Sequence, residues 1–248
     1  MRLAGKSAVV TGGGGGFGEG IAKAFAAEGA KVVVGDINGA AAERVAAEIG
    51  GIPVAGDVTR QADVQAMVDA SVREFGGLDV VVNNAGTTHR NQPMLNVDET
   101  TFDRVYAVNV KSIYLMSQAA LPVLRRQGRG GSIINIGSTA GIRPRPGLVW
   151  YNGTKGAVNV ISKCMAVELA PENIRVNAVC PVIGATALLE NFMGGADSEE
   201  LRARFIATIP LGRMSTPDDI ANACVFLAEG ASAFITGILL PVDGGRTV

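Results

Sequence analysis

The chain has 248 residues, of which 48% are hydrophobic and 18% charged, with a formal net charge of −1. That composition excludes a disordered chain and lacks the basic excess of a nucleic-acid binder. No apolar run reaches the ~18 residues needed to cross a bilayer, and no leader-like apolar stretch follows Met1.

Short β-branched runs alternate with alanine-rich helical stretches. Strands are predicted at 7–10, 31–35, 52–55, 80–83, 132–136, 175–179 and 238–241. Between them, apolar residues recur three and four apart, as in Phe17, Ile21 and Phe25, or Val64, Met67, Val68 and Val72. Runs such as VVV and SIINI are apolar on both faces, which suits a parallel sheet covered on each side. The expected fold is therefore α/β: a doubly wound parallel sheet of about seven strands in three layers, forming one domain over 1–248. Three cysteines (Cys164, Cys180 and Cys224) lie far apart without metal-ligand spacing. They are expected to be reduced core residues of a cytoplasmic protein, and no metal site is expected.

The first strand runs into TGGGGGFGEG, Thr11 to Gly20, and a helix is predicted from about Phe17. A glycine run between strand and helix lets a pyrophosphate approach the positive end of the helix. Two registers fit, one with Gly13, Gly15 and Gly18, the other with Thr11, Gly12, Gly16 and Gly18. The second strand ends in Asp36, whose carboxylate suits the two ribose hydroxyls of an adenosine and repels a 2′-phosphate. No Arg or Lys lies in the glycine loop, and Ile37 follows Asp36. NAD(H) is expected over NADP(H). Asp57 with Val58, and Asn83-Asn84-Ala85-Gly86, close the third and fourth strands at the same sheet edge.

YNGTK sets Tyr151 and Lys155 one turn apart on a predicted helix. A phenol titrates near 10, too high for a base at neutral pH, and a nearby cation lowers that value. Lys155 can supply the charge and reach a ribose hydroxyl. Ser138, 13 residues before Tyr151, ends the fifth strand and can steady a substrate oxygen. Asn109, polar among apolar neighbours, can hold a water for proton relay.

Together these residues resemble the short-chain dehydrogenase/reductase family over essentially the whole chain. The motifs are Thr11-Gly12-x-x-x-Gly16-x-Gly18, Asp36, Asp57, Asn83 to Gly86, Asn109, Ser138, Tyr151-x-x-x-Lys155, Asn173 to Pro181, and Val242 to Gly245. The resemblance implies a Rossmann-type fold, a homotetramer, and hydride transfer between a nicotinamide and an alcohol carbon. It makes Tyr151 the acid/base, Lys155 its partner, Ser138 the orienting hydroxyl and Asn109 the relay residue. The glycine register it favours is Gly12, Gly16 and Gly18, with Gly13, Gly14 and Gly15 as fillers. The cofactor site it implies comprises Gly12, Gly15, Gly16, Phe17, Gly18, Asp36, Ile37, Asp57, Val58, Asn84, Ala85, Gly86, Tyr151, Lys155, Pro181, Ile183 and Thr186. One departure is Val182, where such proteins commonly carry glycine. A valine takes positive φ only at a cost, so a differently shaped loop is expected there.

Substrate selection is expected from the segment inserted after the sixth strand, about 184–213, and from loops at 87–91 and 139–150. Leu188, Leu189, Phe192 and Met193 form an apolar stripe, either a lid or ordinary packing. His89, Arg90, Arg143 and Arg145 bring basic groups to the presumed mouth, either as solvated loop charges or to draw in an anion. Within these segments His89, Trp150, Leu188 and Phe192 are the candidate substrate contacts. The expected partner is a small alcohol or ketone, with no nucleic acid and no membrane. A 3-oxoacyl-thioester reductase and a catalytically silent NAD-binding protein are the alternatives.

Overall fold

The computed structural model describes residues 1–184, 188–195 and 198–248. In chain order, β1 (Ser7–Thr11), α1 (Gly16–Ala27), β2 (Lys31–Asp36), α2 (Gly39–Ile49), β3 (Ile52–Ala55), α3 (Gln61–Phe75) and β4 (Val80–Asn83) form the first half. Then come α4 (Glu99–Tyr106), α5 (Ser112–Gln127), β5 (Gly131–Ile136), α6 (Val149–Leu169), β6 (Ile174–Pro181), α7 (Leu189–Met193), α8 (Glu199–Ile206), α9 (Pro217–Ala228) and β7 (Leu239–Val242). The strands pair in parallel in the order β3-β2-β1-β4-β5-β6-β7. The chain reverses its direction across the sheet between β1 and β4, which opens a crevice at their carboxyl ends.

The strands are apolar throughout because both faces are covered. Ala8, Val10, Val32, Val34, Val80, Val82, Ile134 and Ile136 pack with Ile21, Phe25, Val45, Ile220 and Cys224, from α1, α2 and α9. Their neighbours Val9, Val33, Val81 and Ile133 point the other way, onto Met67, Met116, Leu124 and Leu169 from α3, α5 and α6. This gives the expected three layers. α9 starts at a capping box in which Thr216 and Asp219 each accept from the other's backbone, with Pro217 at the first turn.

A polar thread crosses this core. The Asn83 amide donates to Asn135 Oδ1 at 2.8 Å, Asn135 Nδ2 donates to Ser162 Oγ at 2.9 Å, and Ser162 donates to the Val158 carbonyl at 2.7 Å. It ties β4 to β5 and β5 to α6.

Cys180 and Cys224 are buried, as expected, but Cys164 is exposed. The inward face of α6 is carried by Val158, Ser162, Ala166 and Leu169, so Cys164 falls on the outer face with Val160 and Val167.

Candidate active site

The glycine loop is shaped by backbone torsions that only glycine takes cheaply. Gly12 and Gly16 have φ of +63° and +54°. Gly18 has no such torsion, but a Cβ there would lie 2.0 Å from the Gly12 carbonyl oxygen. Gly18 therefore supports the loop from behind and is not part of the cavity wall, contrary to its expected place in the cofactor site. The three intervening glycines are not equivalent fillers. A Cβ on Gly13 would meet Val34 Cγ1 at 2.9 Å and one on Gly14 would meet Ala41 Cβ at 2.8 Å, whereas Gly15 faces open space.

Around this loop opens a cavity of about 730 Å³. Its wall includes Gly12, Gly15, Gly16, Phe17, Asp36, Ile37, Asp57, Val58, Asn84, Ala85, Gly86, Ser138, Tyr151, Lys155, Pro181, Ile183, Leu188 and Phe192. Thr186 lies outside the described residues. Thr11 Oγ1 accepts from the amides of Asn84 and Ala85, both at 3.0 Å, and Asn84 Nδ2 donates to the Thr11 and Gly12 carbonyls. These bonds sew the β1 and β4 loops into one floor. Asp36 accepts from the amides of Gly14 and Asn38, each at 2.9 Å, which aims the carboxylate along the rim.

The wall fits a dinucleotide. Among the described residues no side chain caps the start of α1, so first-turn N–H groups are left open where Gly15, Gly16 and Phe17 line the cavity. A carboxylate stands at one end of the cavity, and a phenol and an ammonium at the other.

One cation near the glycine loop was not legible in the sequence. Arg44, from α2, donates to the Gly14 carbonyl at 3.1 Å. Although no Arg or Lys lies within the glycine loop, α2 thus brings one to it. Arg44 is however engaged by Glu19 at 2.7 Å and Glu48 at 3.0 Å. The Arg44 guanidinium holds the Glu19 carboxyl down at about 2.

At the other end, Tyr151 and Lys155 are both buried on α6. Burial pushes the Tyr151 phenol up to about 12, against the nearby Ser138 hydroxyl and the positive charge of Arg145, which favour the phenolate. Burial brings the Lys155 ammonium down to about 8. Lys155 Nζ donates to the Ile136 carbonyl at 2.8 Å and stands 5.9 Å from the Tyr151 ring centre. Arg145 is thus a second cation, besides Lys155, near the phenol. Ser138 also accepts from the Ala140 amide at 3.0 Å, which fixes its rotamer.

Asn109 sits in a π-helical turn, Ala107–Lys111, between α4 and α5. Such turns often mark functional sites. Its side chain is behind the wall: Nδ2 donates to the Thr87 carbonyl and to Thr154 Oγ1, and Oδ1 accepts from the Thr87 amide. The side chain braces the loop after Gly86.

Two substrate candidates are moved off the cavity. His89 is 3% exposed, and its Nδ1 sits 2.8 Å from the Arg90 carbonyl. Trp150 points away to donate to the Met94 carbonyl at 3.1 Å and stacks edge-on against Phe102. Leu188 and Phe192 do line the cavity, and the Phe192 ring lies edge-on to Tyr151 at 5.1 Å. The stripe forms α7, with Leu189 packed on Val182, Ile183 and Ile209. Val182 has no positive φ; its amide donates to the Val242 carbonyl at 3.3 Å. The valine is accommodated by β7 and this small apolar cluster, without left-handed backbone.

Residues 13–247 match the family described as enoyl-(acyl carrier protein) reductase. The chain is 49% identical to the 4-formylbenzenesulfonate dehydrogenase of Comamonas testosteroni over all of both chains. It is 36% identical to a 3-oxoacyl-[acyl-carrier-protein] reductase of Thermotoga maritima, again over both full lengths. The crystal structure of a 3-ketoacyl-(acyl-carrier-protein) reductase from Brucella melitensis, complexed with NADH, superimposes with a TM-score of 0.94 at 46% identity. That match covers 99% of this chain and 100% of the other.

Proposed function

The chain belongs to the short-chain dehydrogenase/reductase family of oxidoreductases, and on that footing we propose that it interconverts a secondary alcohol and a ketone with NAD(H). The observation that carries the reading is one cavity with Asp36 and an uncapped helix start at one end and Tyr151, Ser138 and Lys155 together at the other.

When bound, the nicotinamide supplies or accepts the hydride. Tyr151 gives its proton to the carbonyl oxygen on reduction and takes it back on oxidation. Ser138 holds that oxygen beside the phenol. Lys155 holds a ribose hydroxyl and adds positive charge near Tyr151. Asn109 keeps the loop after Gly86 in place. Asp36 binds the ribose hydroxyls and disfavours a 2′-phosphate. The NADH complex of the Brucella protein supports NAD(H) as cofactor.

The assay is alcohol-dependent reduction of NAD⁺ by wild type and Tyr151→Phe. Equal turnover by both would refute the assignment of Tyr151. A second reading, reduction of a 3-oxoacyl thioester, is favoured by the names of the Thermotoga and Brucella proteins. Faster turnover of a 3-oxoacyl thioester than of simple ketones would establish it in place of the first.

The family resemblance also underlies a homotetramer in the cytoplasm. An apolar stripe on α6 supports self-association, with Val160 and Val167 61% and 80% exposed. Among the described residues no helix is long and apolar enough to cross a membrane. Analytical ultracentrifugation tests the assembly; a monomer at micromolar concentration would end that expectation.

A further inference from the structure

Arg145 lines the same cavity as Tyr151. It is half-buried, and the charged or titratable groups that bear on it are Arg246, a like charge, and the Tyr151 phenol. Burial and Arg246 together bring its proton affinity down to about 10. Among the described residues no carboxylate pairs with it.

The neighbouring groups account for the shortage of negative charge. Asp243, the acid closest in sequence to Arg246, is engaged by the amides of Gly245 and Thr247, both at 2.9 Å, and by the Thr247 hydroxyl at 2.7 Å. Arg246 Nε is buried and has no hydrogen-bond partner among the described residues. Arg143 donates to the Arg246 carbonyl at 3.0 Å, which holds the chain after β7 against the loop before α6. Arg145 itself is fixed: its guanidinium carbon lies 4.7 Å from the Phe205 ring centre, and Asn152 donates to its carbonyl at 2.7 Å. Two partly desolvated, like-charged guanidiniums with no counter-ion among the described residues are costly, and a bound anion would relieve that cost.

That anion is not the phosphate of a cofactor. On the reading above a cofactor phosphate lies at the glycine loop and the uncapped start of α1, whereas Arg145 comes from the loop after β5, two strands from β1 in the sheet order. It stands instead beside the acid/base and the apolar wall of Leu188 and Phe192.

We propose that Arg145, backed by Arg246, binds a carboxylate or sulfonate of the substrate, so that the enzyme acts on an alcohol or ketone whose apolar body carries an anionic group away from the reacting carbon. Arg145 offers a planar pair of donors to such a group, and the low-dielectric wall strengthens the attraction. The assignment rests on the alcohol–ketone reading above, and the experiment separates the two.

Kinetics with NAD⁺ would compare 1-phenylethanol with 4-(1-hydroxyethyl)benzoate and 4-(1-hydroxyethyl)benzenesulfonate, for wild type, Arg145→Gln, Arg145→Lys and Arg246→Gln. Calorimetry would measure benzoate and benzenesulfonate binding to the same NADH-loaded proteins, and a thermal melt would establish that each is folded. For wild type, kcat/KM for an anionic alcohol should exceed that for the neutral one by about tenfold or more, and Arg145→Gln should remove that advantage mainly through KM. Arg145→Lys should keep part of it, having charge without the fork. Whichever of the two acids shows the larger loss identifies the anion. An unchanged anionic-to-neutral ratio in Arg145→Gln would overturn the proposal and leave the alcohol–ketone reading intact. If no alcohol turns over, acids that bind about tenfold less tightly to Arg145→Gln would still support the anion site while ending the alcohol–ketone reading. Equal acid binding by wild type and variant would overturn the anion site as well.

Discussion

Tyr151 and Lys155 lie one turn apart on α6, and burial moves their proton affinities in opposite directions, the phenol to about 12 and the ammonium to about 8. In each case the low-dielectric wall disfavours the charged form. The protein alone therefore keeps the phenol protonated through neutral pH.

The first prediction is catalytic. Tyr151→Phe should lower kcat for alcohol oxidation by about 10²–10⁴-fold, the usual weight of a positioned acid/base. NADH binding, followed by fluorescence titration, should persist, because the phenol is not needed to hold the dinucleotide.

The second concerns titration. Ultraviolet difference absorbance of the protein should show one tyrosine ionising well above 10, and that step should vanish in Tyr151→Phe. Arg145→Gln should raise it further, since the guanidinium favours the phenolate. A fall in that variant would contradict the electrostatics described here.

The third concerns stability. A lysine whose folded proton affinity is depressed destabilises the fold fully below its folded value and progressively less above it. For Lys155 the relief should run from pH 8 to 10.5. Lys155→Met should then melt at a higher temperature than wild type near neutral pH, although it loses the bond to the Ile136 carbonyl. The difference should shrink as pH rises through that window, and turnover should be lost. Thermal melts across pH follow both curves.

A fourth prediction concerns cofactor choice. Asp36→Ala removes the carboxylate and leaves Arg44 at the Gly14 carbonyl. The NADPH-to-NADH ratio of kcat/KM should rise by about tenfold or more, and Arg44→Ala in that background should reverse part of the gain.

The glycines give the fifth. Gly15→Ala should be neutral or stabilise by about 0.4–1 kcal/mol, because its φ of −166° is extended and its surroundings are open. Gly14→Ala should destabilise, since the obstructing Ala41 Cβ cannot rotate away. Gly18→Ala should abolish NADH binding, as its Cβ would collide with the Gly12 carbonyl. Denaturant melts and NADH titration distinguish the three.

The sheet was legible because its strands carry runs such as Val32 to Val34, and a run buried on both faces has few other homes. Only strand ends moved, with β6 reaching Pro181 and β7 beginning at Leu239. The gathering of Asp36, Ser138, Tyr151 and Lys155 was legible because strand ends and one helical turn bring them to the sheet edge. His89 and Trp150 were misjudged because nearness in sequence to the cavity does not set the direction of a loop side chain. Arg44 was missed for the converse reason: it meets the glycine loop through a tertiary path that no local pattern encodes, whereas Arg145 was placed at the mouth by the loop it lies in. The strain expected at Val182 did not arise because its backbone pairs with β7.

The amide thread from Asn83 through Asn135 to Ser162 acts as a checksum on assembly. A one-residue slip of β5 would turn Asn135 to the opposite face and leave buried amides unanswered on both neighbours. The permitted register is also the one that brings Ser138, two residues beyond β5, up to Tyr151. An error in building the sheet would thus be rejected by the core before it could produce a folded but inert enzyme.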